Sequence, residues 1–77
     1  MIPVEVTLHG TLRRFLPEGR KTQRLEVPEG ETVAGLVARL GAEGQVWIAE
    51  VNGEVVRFAR PLAAGDRVNL HGMIEGG

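Results

Sequence analysis

The sequence predicts an α+β roll, a sheet of four to five strands covered on one face by a single helix. Three observations predict it. Short segments at both ends and in the middle of the chain alternate apolar and polar residues, the period of a strand with one buried face. A longer segment, Thr32 to Leu40, repeats its apolar residues at helical spacing. Between two alternating segments stands Asn52-Gly53, the strongest short hairpin signal a sequence carries.

The first strand is Ile2 to His9, with Ile2, Val4, Val6 and Leu8 turned inward and Glu5, Thr7 and His9 outward. Pro3 has no N–H to donate, so the first ladder bond on its side is expected to be absent, or that side to be an edge. Gly10 closes the strand. Leu12, Phe15 and Leu16 then recur at i, i+3, i+4, which fits one short helical turn ended by Pro17 and Gly19. Gln23 to Val27 alternates again until Pro28-Glu29-Gly30, and the short connection makes it the antiparallel partner of the first strand.

Thr32 is the expected N-cap of the helix, with Glu31 adding negative charge at its positive end. Val33, Leu36, Val37 and Leu40 form one apolar face, and Gly41 stands where a left-handed stop belongs. Gly35 inside this helix costs about 1 kcal/mol relative to Ala, which a close approach to the sheet would explain. Val46 to Val51 is the third strand and Glu54 to Arg57 a short fourth. The last, Arg67 to Met73, is entered through Gly65-Asp66. Its Val68 and Leu70 face the core, while Arg67, Asn69, His71 and Met73 face out. Gly72 marks the expected point of release from the sheet, giving a domain over 1–73 and a tail over 74–77.

A chain of 77 residues holds one domain and no second core. It has no cysteine, which removes disulfides, thiolate metal sites and a catalytic thiol; it has no serine nucleophile either. No apolar run approaches the ~20 residues of a membrane span and no signal peptide opens the chain, so a cytoplasmic location without a membrane partner is expected. The formal net charge of −1 gives no overall attraction to nucleic acid. Arg13, Arg14, Arg20, Lys21 and Arg24 form a local basic cluster without interleaved aromatics. It reads first as a solvated loop face, then as a contact for an acidic protein, and last as a nucleic-acid patch. His9 and His71 become neighbours if their strands pair, but no acid or thiol stands at a ligand spacing beside them, so no metal is expected. Trp47 and Phe58 read as packing residues, and no glycine pattern cradles phosphate. Nothing here runs a reaction by itself, so the chain reads as a binding module or a substrate, not an enzyme.

The residues left to carry chemistry are Gly76 and Gly77. With them at the end, the whole pattern resembles the MoaD/ThiS family of ubiquitin-like, β-grasp sulfur carriers over essentially its full length. LHGTLRRFLPEGR is similar to the opening of MoaD-type members, TVAGLVARLG to their helix, EVNGEVV to their VNG hairpin, and PLAAGDRVNL to their entry into the last strand. The resemblance implies a mixed sheet whose first and last strands run parallel at its centre, and a flexible C-terminal Gly-Gly tail. It also implies a role: an activating enzyme uses ATP to adenylate the Gly77 carboxyl, and a sulfur donor converts it to a thiocarboxylate. That sulfur passes to a molybdopterin precursor foremost, then to the thiamin thiazole or a tRNA base, with a large synthase subunit as a further partner. No cofactor is held by the carrier itself. One departure stands out: MoaD-type tails carry a Pro-rich stretch where this chain has His71-Gly72-Met73-Ile74-Glu75.

The chemistry of a chain end agrees. An α-carboxyl titrates near ~3.5, so at neutral pH it is ionised and resists nucleophiles until it is given a leaving group. Two residues without Cβ thread a narrow channel, and the span from Met73 to Gly77 reaches at most about 17 Å. The outward strip of Thr7, His9, Asn69, His71 and Met73, continued by Ile74 and Glu75, is the expected partner surface, its exposed Met suited to adaptable contacts. Two other roles fit the same residues: a ubiquitin-like modifier joined to target lysines through Gly77, and a plain β-grasp interaction domain.

Overall fold

The structure is a computed structural model that describes residues 1–73, and the residues expected to form the tail, Ile74, Glu75, Gly76 and Gly77, lie outside the described residues. Strand β1 (Ile2–Leu8) buries Val4, Val6 and Leu8 on one face, as its alternation predicts. Two 3-10 turns follow, Gly10–Phe15 and Pro17–Gly19, and they tuck Leu12 and Leu16 onto the core with Phe15 half-buried. Next come β2 (Thr22–Val27), α1 (Val33–Leu40), β3 (Val46–Val51), β4 (Glu54–Val56) and β5 (Arg67–Gly72).

The five strands make one mixed sheet in the order β2-β1-β5-β3-β4. β1 and β5 run parallel, with Val6 opposite Val68 and Leu8 opposite Leu70; every other pairing is antiparallel. Strands that are far apart in sequence thus meet in the middle. Val68 and Leu70 are fully buried there, under α1. Pro3 is explained by the same pairing. The Glu5 N–H, pointing the same way as the Pro3 nitrogen, donates to Asp66 O, and β5 pairs only from Arg67 onward. The missing donor of Pro3 therefore lies beyond the start of its neighbour.

The helix starts and stops where local chemistry demands. The Gly35 N–H donates to Thr32 Oγ1 at 3.1 Å, and Gly41 closes the helix at φ 77°, ψ 19°, a left-handed conformation that suits a residue without Cβ. Val33, Leu36 and Val37 are buried beneath it, each contributing about 1.5–3 kcal/mol of apolar burial, and Leu40 packs at the margin.

Three expectations are corrected. Gly35 does not approach the sheet; a Cβ there would run into the Glu31 carboxylate, which folds back to accept from the Thr32 N–H and pair with Arg39. Gly72 is where the strand ends, as expected: it is the last residue of β5, paired with Val46, and a Cβ would stand 3.2 Å from Gln45 O and 3.3 Å from Leu12 Cγ. Close backbone approach explains this glycine. Trp47 is not a packing residue but is 60% exposed, because the register shifts between Val46 and Ile48 and the bulge turns both Trp47 and Ile48 outward. Phe58 lies at the surface as well, though its carbonyl accepts from the Ala34 N–H at the start of α1.

Candidate functional site

The outer face of the sheet carries the strip expected from parity. Parallel pairing of β1 with β5 sets Thr7 opposite Asn69, and antiparallel pairing of β5 with β3 sets Glu50 opposite Asn69 on the other side. Thr22 and Val55 complete this row at its two ends. The hydroxyls of Thr7 and Thr22 hydrogen-bond at 3.0 Å.

His9 stands just past the end of β1, and His71 lies near the end of β5. Their rings stack with centroids 4.3 Å apart and planes 10° from parallel. His9 Nε2 donates to Asn69 Oδ1 at 2.8 Å, and His71 Nε2 donates to Glu50 Oε1 at 2.7 Å. The neighbourhood expected for the two histidines is therefore present, and an acid joins it from β3, which spacing along the chain did not reveal. Stacked rings whose Nε2 atoms point at separate acceptors do not converge on one cation. Among the described residues no three His, Cys, Asp or Glu side chains gather as a metal site.

Beside the stack opens a groove of 590 Å³, walled by His9, Gly10, Ile48, Glu50, Val55 and Met73. Its apolar walls are unusually bare: Ile48 is 48% exposed, Met73 59% and Val55 72%. β5 ends at Gly72, and Gly72 and Met73 both line this groove. Thr7, His9, Asn69, His71 and Met73 are thus brought to one surface, although Thr7 sits outside the groove itself. Ile48, Glu50 and Val55 were missed by sequence reasoning. The hairpin at Asn52-Gly53 was a signal that could have found one of them: it pairs Glu50 with Val55.

Two carboxylates show perturbed acidity, and both are structural. Burial pushes the Asp66 carboxyl up, but hydrogen bonds from the Ala63 N–H, the Asn52 amide and the Arg60 guanidinium outweigh it and hold it below the usual carboxylate range. The Arg39 guanidinium, helped by the Thr32 N–H, holds Glu31 low against a smaller effect of burial. The basic cluster is largely engaged locally: Arg13 Nε donates to Gly19 O, Arg14 donates to Thr11 O and lies 4.5 Å over the Phe15 ring, and Arg20 pairs with Glu18. No helix of the described residues is long and apolar enough to cross a membrane.

Solved structures of known proteins superpose on this fold. A solved structure of a putative molybdopterin converting factor, subunit 1, from Pyrococcus furiosus is 21% identical, covers 96% of this chain and 100% of its own, and superposes with a TM-score of 0.78. The small archaeal modifier protein 1 of Haloferax volcanii is 25% identical over 96% of this chain and 100% of its own, with a TM-score of 0.77. In a complex of subunits 1 and 2 of the molybdopterin-converting factor from Helicobacter pylori, the similar chain is 22% identical, with 99% of this chain and 100% of that one covered and a TM-score of 0.63. No match is found among curated proteins. The model of the ThiS family matches residues 6–77, from the first strand through Gly77. The chain belongs to the ThiS family, in the ubiquitin-like MoaD/ThiS group.

Proposed function

We propose that this protein is a sulfur carrier that works through the carboxyl of Gly77. The observation that carries the reading is the family match, which extends through Gly76 and Gly77 on a complete β-grasp sheet. In the proposed cycle a Gly77 carboxylate oxygen attacks the α-phosphorus of ATP inside an activating enzyme, and pyrophosphate leaves. Hydrosulfide delivered by a sulfur donor then attacks the carbonyl carbon of the acyl-adenylate and expels AMP, and loss of the remaining S–H proton leaves a thiocarboxylate. The activating site must exclude water from that adenylate or it would hydrolyse. Gly76 and Gly77 suit a closed channel because neither has a side chain to admit. ATP belongs to the partner, and the carrier is a co-substrate that performs no catalysis of its own.

The groove at Ile48, Val55 and Met73, with His9, His71, Asn69 and Thr7 beside it, is the proposed docking surface, continued by Ile74 and Glu75. Its lining by Gly72, the last residue of β5, and by Met73 supports this reading. The sulfur acceptor proposed is a molybdopterin precursor, ahead of the thiamin thiazole or a tRNA base, with a large synthase subunit as the second partner in the cytoplasm. The fold shared with subunits 1 of two molybdopterin converting factors favours that order. Intact mass spectrometry of protein from its native host tests the reading. A fraction with one terminal oxygen replaced by sulfur is expected; its persistent absence, together with failure of every activating enzyme of that host to adenylate Gly77, would refute it.

A second reading is favoured by a specific observation. Two structures of the Haloferax volcanii small archaeal modifier are 25% and 26% identical over 96% and 97% of this chain. As a modifier, the chain would be joined through Gly77 to lysines of other proteins, while Lys21 is its own single lysine acceptor. High-mass conjugates that vanish on deletion of Gly77 would favour this role.

A further inference from the structure

The basic cluster and the outer edge of β2 are not absorbed by the proposed carrier role. β2 is an outermost strand of the sheet. Its hydrogen-bond register settles which backbone groups are free. The Leu8 N–H donates to Lys21 O at 2.8 Å, and pairing continues as Val6 with Gln23, Val4 with Leu25 and Ile2 with Val27. In an antiparallel ladder these alternate residues aim their N–H and C=O at β1. Thr22, Arg24 and Glu26 therefore aim theirs at solvent, and all three are exposed. Such an edge accepts another strand unless something guards it.

What stands beside it is positive charge. Between Arg13 and Glu26 lie five cations and two carboxylates, in a chain whose formal net charge is −1. The pairs with acids are weak: Arg20–Glu18 spans 3.6 Å and Arg24–Glu26 3.7 Å, on side chains more than half exposed. Exposed pairs of this kind hold little energy and release their cations readily. The Lys21 ammonium has no ion-pair partner among the described residues. On the inner face of the same strand Leu25 is half-buried and packs against the core margin, open to a further apolar neighbour.

These features select one occupant. A second copy of this chain is disfavoured, because it brings to the seam the same excess of cations, five against two carboxylates between Arg13 and Glu26. A neutral or basic strand gains nothing from the cations. We propose that the β2 edge docks an extended acidic segment of another protein as a sixth strand. Its backbone bonds to Thr22, Arg24 and Glu26, its carboxylates meet Arg24, Arg20 and Lys21, and an apolar residue covers Leu25. Backbone pairing supplies the attachment, and the charges supply the selection.

The test is amide exchange by NMR on the full chain, titrated with a short capped peptide that alternates glutamate and valine. Exchange at Thr22, Arg24 and Glu26 is expected to slow, while Gln23 and Leu25, already bonded to β1, change little. The same peptide with lysine in place of glutamate should have no such effect. Arg24→Glu should weaken binding by about tenfold or more; Arg20→Glu combined with Lys21→Glu, outside the strand, should weaken it too if Arg24→Glu perturbs folding. Unchanged exchange at the three edge amides with saturating acidic peptide would overturn the proposal. So would equal protection by the lysine peptide, or protection that rises with protein concentration alone and assigns the edge to a second copy. Tighter binding of an oligothymidylate than of the acidic peptide would assign the cations to nucleic acid and would equally overturn it.

Discussion

Asp66 is the one polar residue buried among the described residues, at 6% exposure, and its removal should be costly. Its Oδ1 accepts from Asn52 Nδ2 at 2.9 Å; its Oδ2 accepts from the Ala63 N–H at 2.8 Å and from Arg60 at 3.2 Å. Asn52 in turn accepts from the Arg67 N–H at 2.9 Å, so one carboxylate ties the β3–β4 turn to the start of the central strand. Asp66→Ala strips the acceptor from all three donors. A hydrogen bond to a charged group is worth about 1.5–3 kcal/mol. The Arg60 contact is discounted because that side chain reaches water, and the turn donors recover part of their loss from solvent. The remaining loss is about 2–4 kcal/mol, a large share of the ~4–11 kcal/mol expected for a domain of this size. At roughly 4–8 °C per kcal/mol, the midpoint should fall by about 8–32 °C.

Urea and thermal unfolding should be followed by circular dichroism, since Trp47 is too exposed to report the core. Asp66→Asn, which keeps Oδ1 as an acceptor, should lose about half as much. The acidity of Asp66 adds a second arm. A carboxyl held low in the folded state stabilises the fold above its unfolded pKa, and that contribution is lost as the pH falls through the folded value. The gap between wild type and Asp66→Asn should therefore be full at neutral pH and should narrow below about pH 4. A loss under about 0.5 kcal/mol for Asp66→Ala, or a gap that does not narrow in acid, would refute the reasoning.

Other substitutions test other parts of the structure. Thr32→Ala removes the acceptor of the Gly35 N–H and should cost about 1 kcal/mol in urea unfolding. Gly72→Ala places a methyl against Gln45 O and Leu12 and should cost about 1–2 kcal/mol, measurable in the same assay; a neutral result would show that the strand has room there. Val55→Asp should change stability by no more than about 0.5 kcal/mol, because the side chain is exposed. If the groove docks the activating enzyme, the same substitution should slow adenylation of Gly77 by about tenfold, read in a pyrophosphate-exchange assay.

The features legible in the sequence are those whose cause is local. Thr32, Gly41 and Asn52 answer demands of the backbone within a few residues, a cap, a left-handed stop and a tight turn, so the residue type alone reveals them. Parity likewise places Thr7, Asn69 and His71 on the outer face. The candidate site needed more, because its neighbours meet only once β5 is inserted between β1 and β3. Glu50 and Ile48 belong to the site through that order. The bulge at Trp47 further breaks the period of two, so counting along β3 from Val46 would send Ile48 inward. The close approach at Gly72 was not legible, because Gln45 and Leu12 reach it from distant segments, whereas Gly35 was misread although Glu31, whose side chain crowds it, stands only four residues before it.

Strand order also bears on how the two proposed surfaces act together. The groove lies over β3, β4, the end of β5 and the residues just past β1, His9 and Gly10, whereas the basic edge lies along β2. Three strand spacings separate β2 from β3, about 14 Å. A partner seated in the groove to reach Gly77 therefore leaves the free N–H and C=O groups of Thr22, Arg24 and Glu26 uncovered. An acidic strand on β2 likewise leaves Val55 and Met73 bare. Coupling between the two would have to pass through β1 and β5, whose facing side chains Val6, Leu8, Val68 and Leu70 are buried and tightly held. The expected result is independence: Arg24→Glu should leave adenylation of Gly77 unchanged, and Val55→Asp should leave binding of the acidic peptide unchanged. Loss of both activities in either variant would mean that one partner spans the whole outer face, and the two surfaces would then have to be read as a single interface.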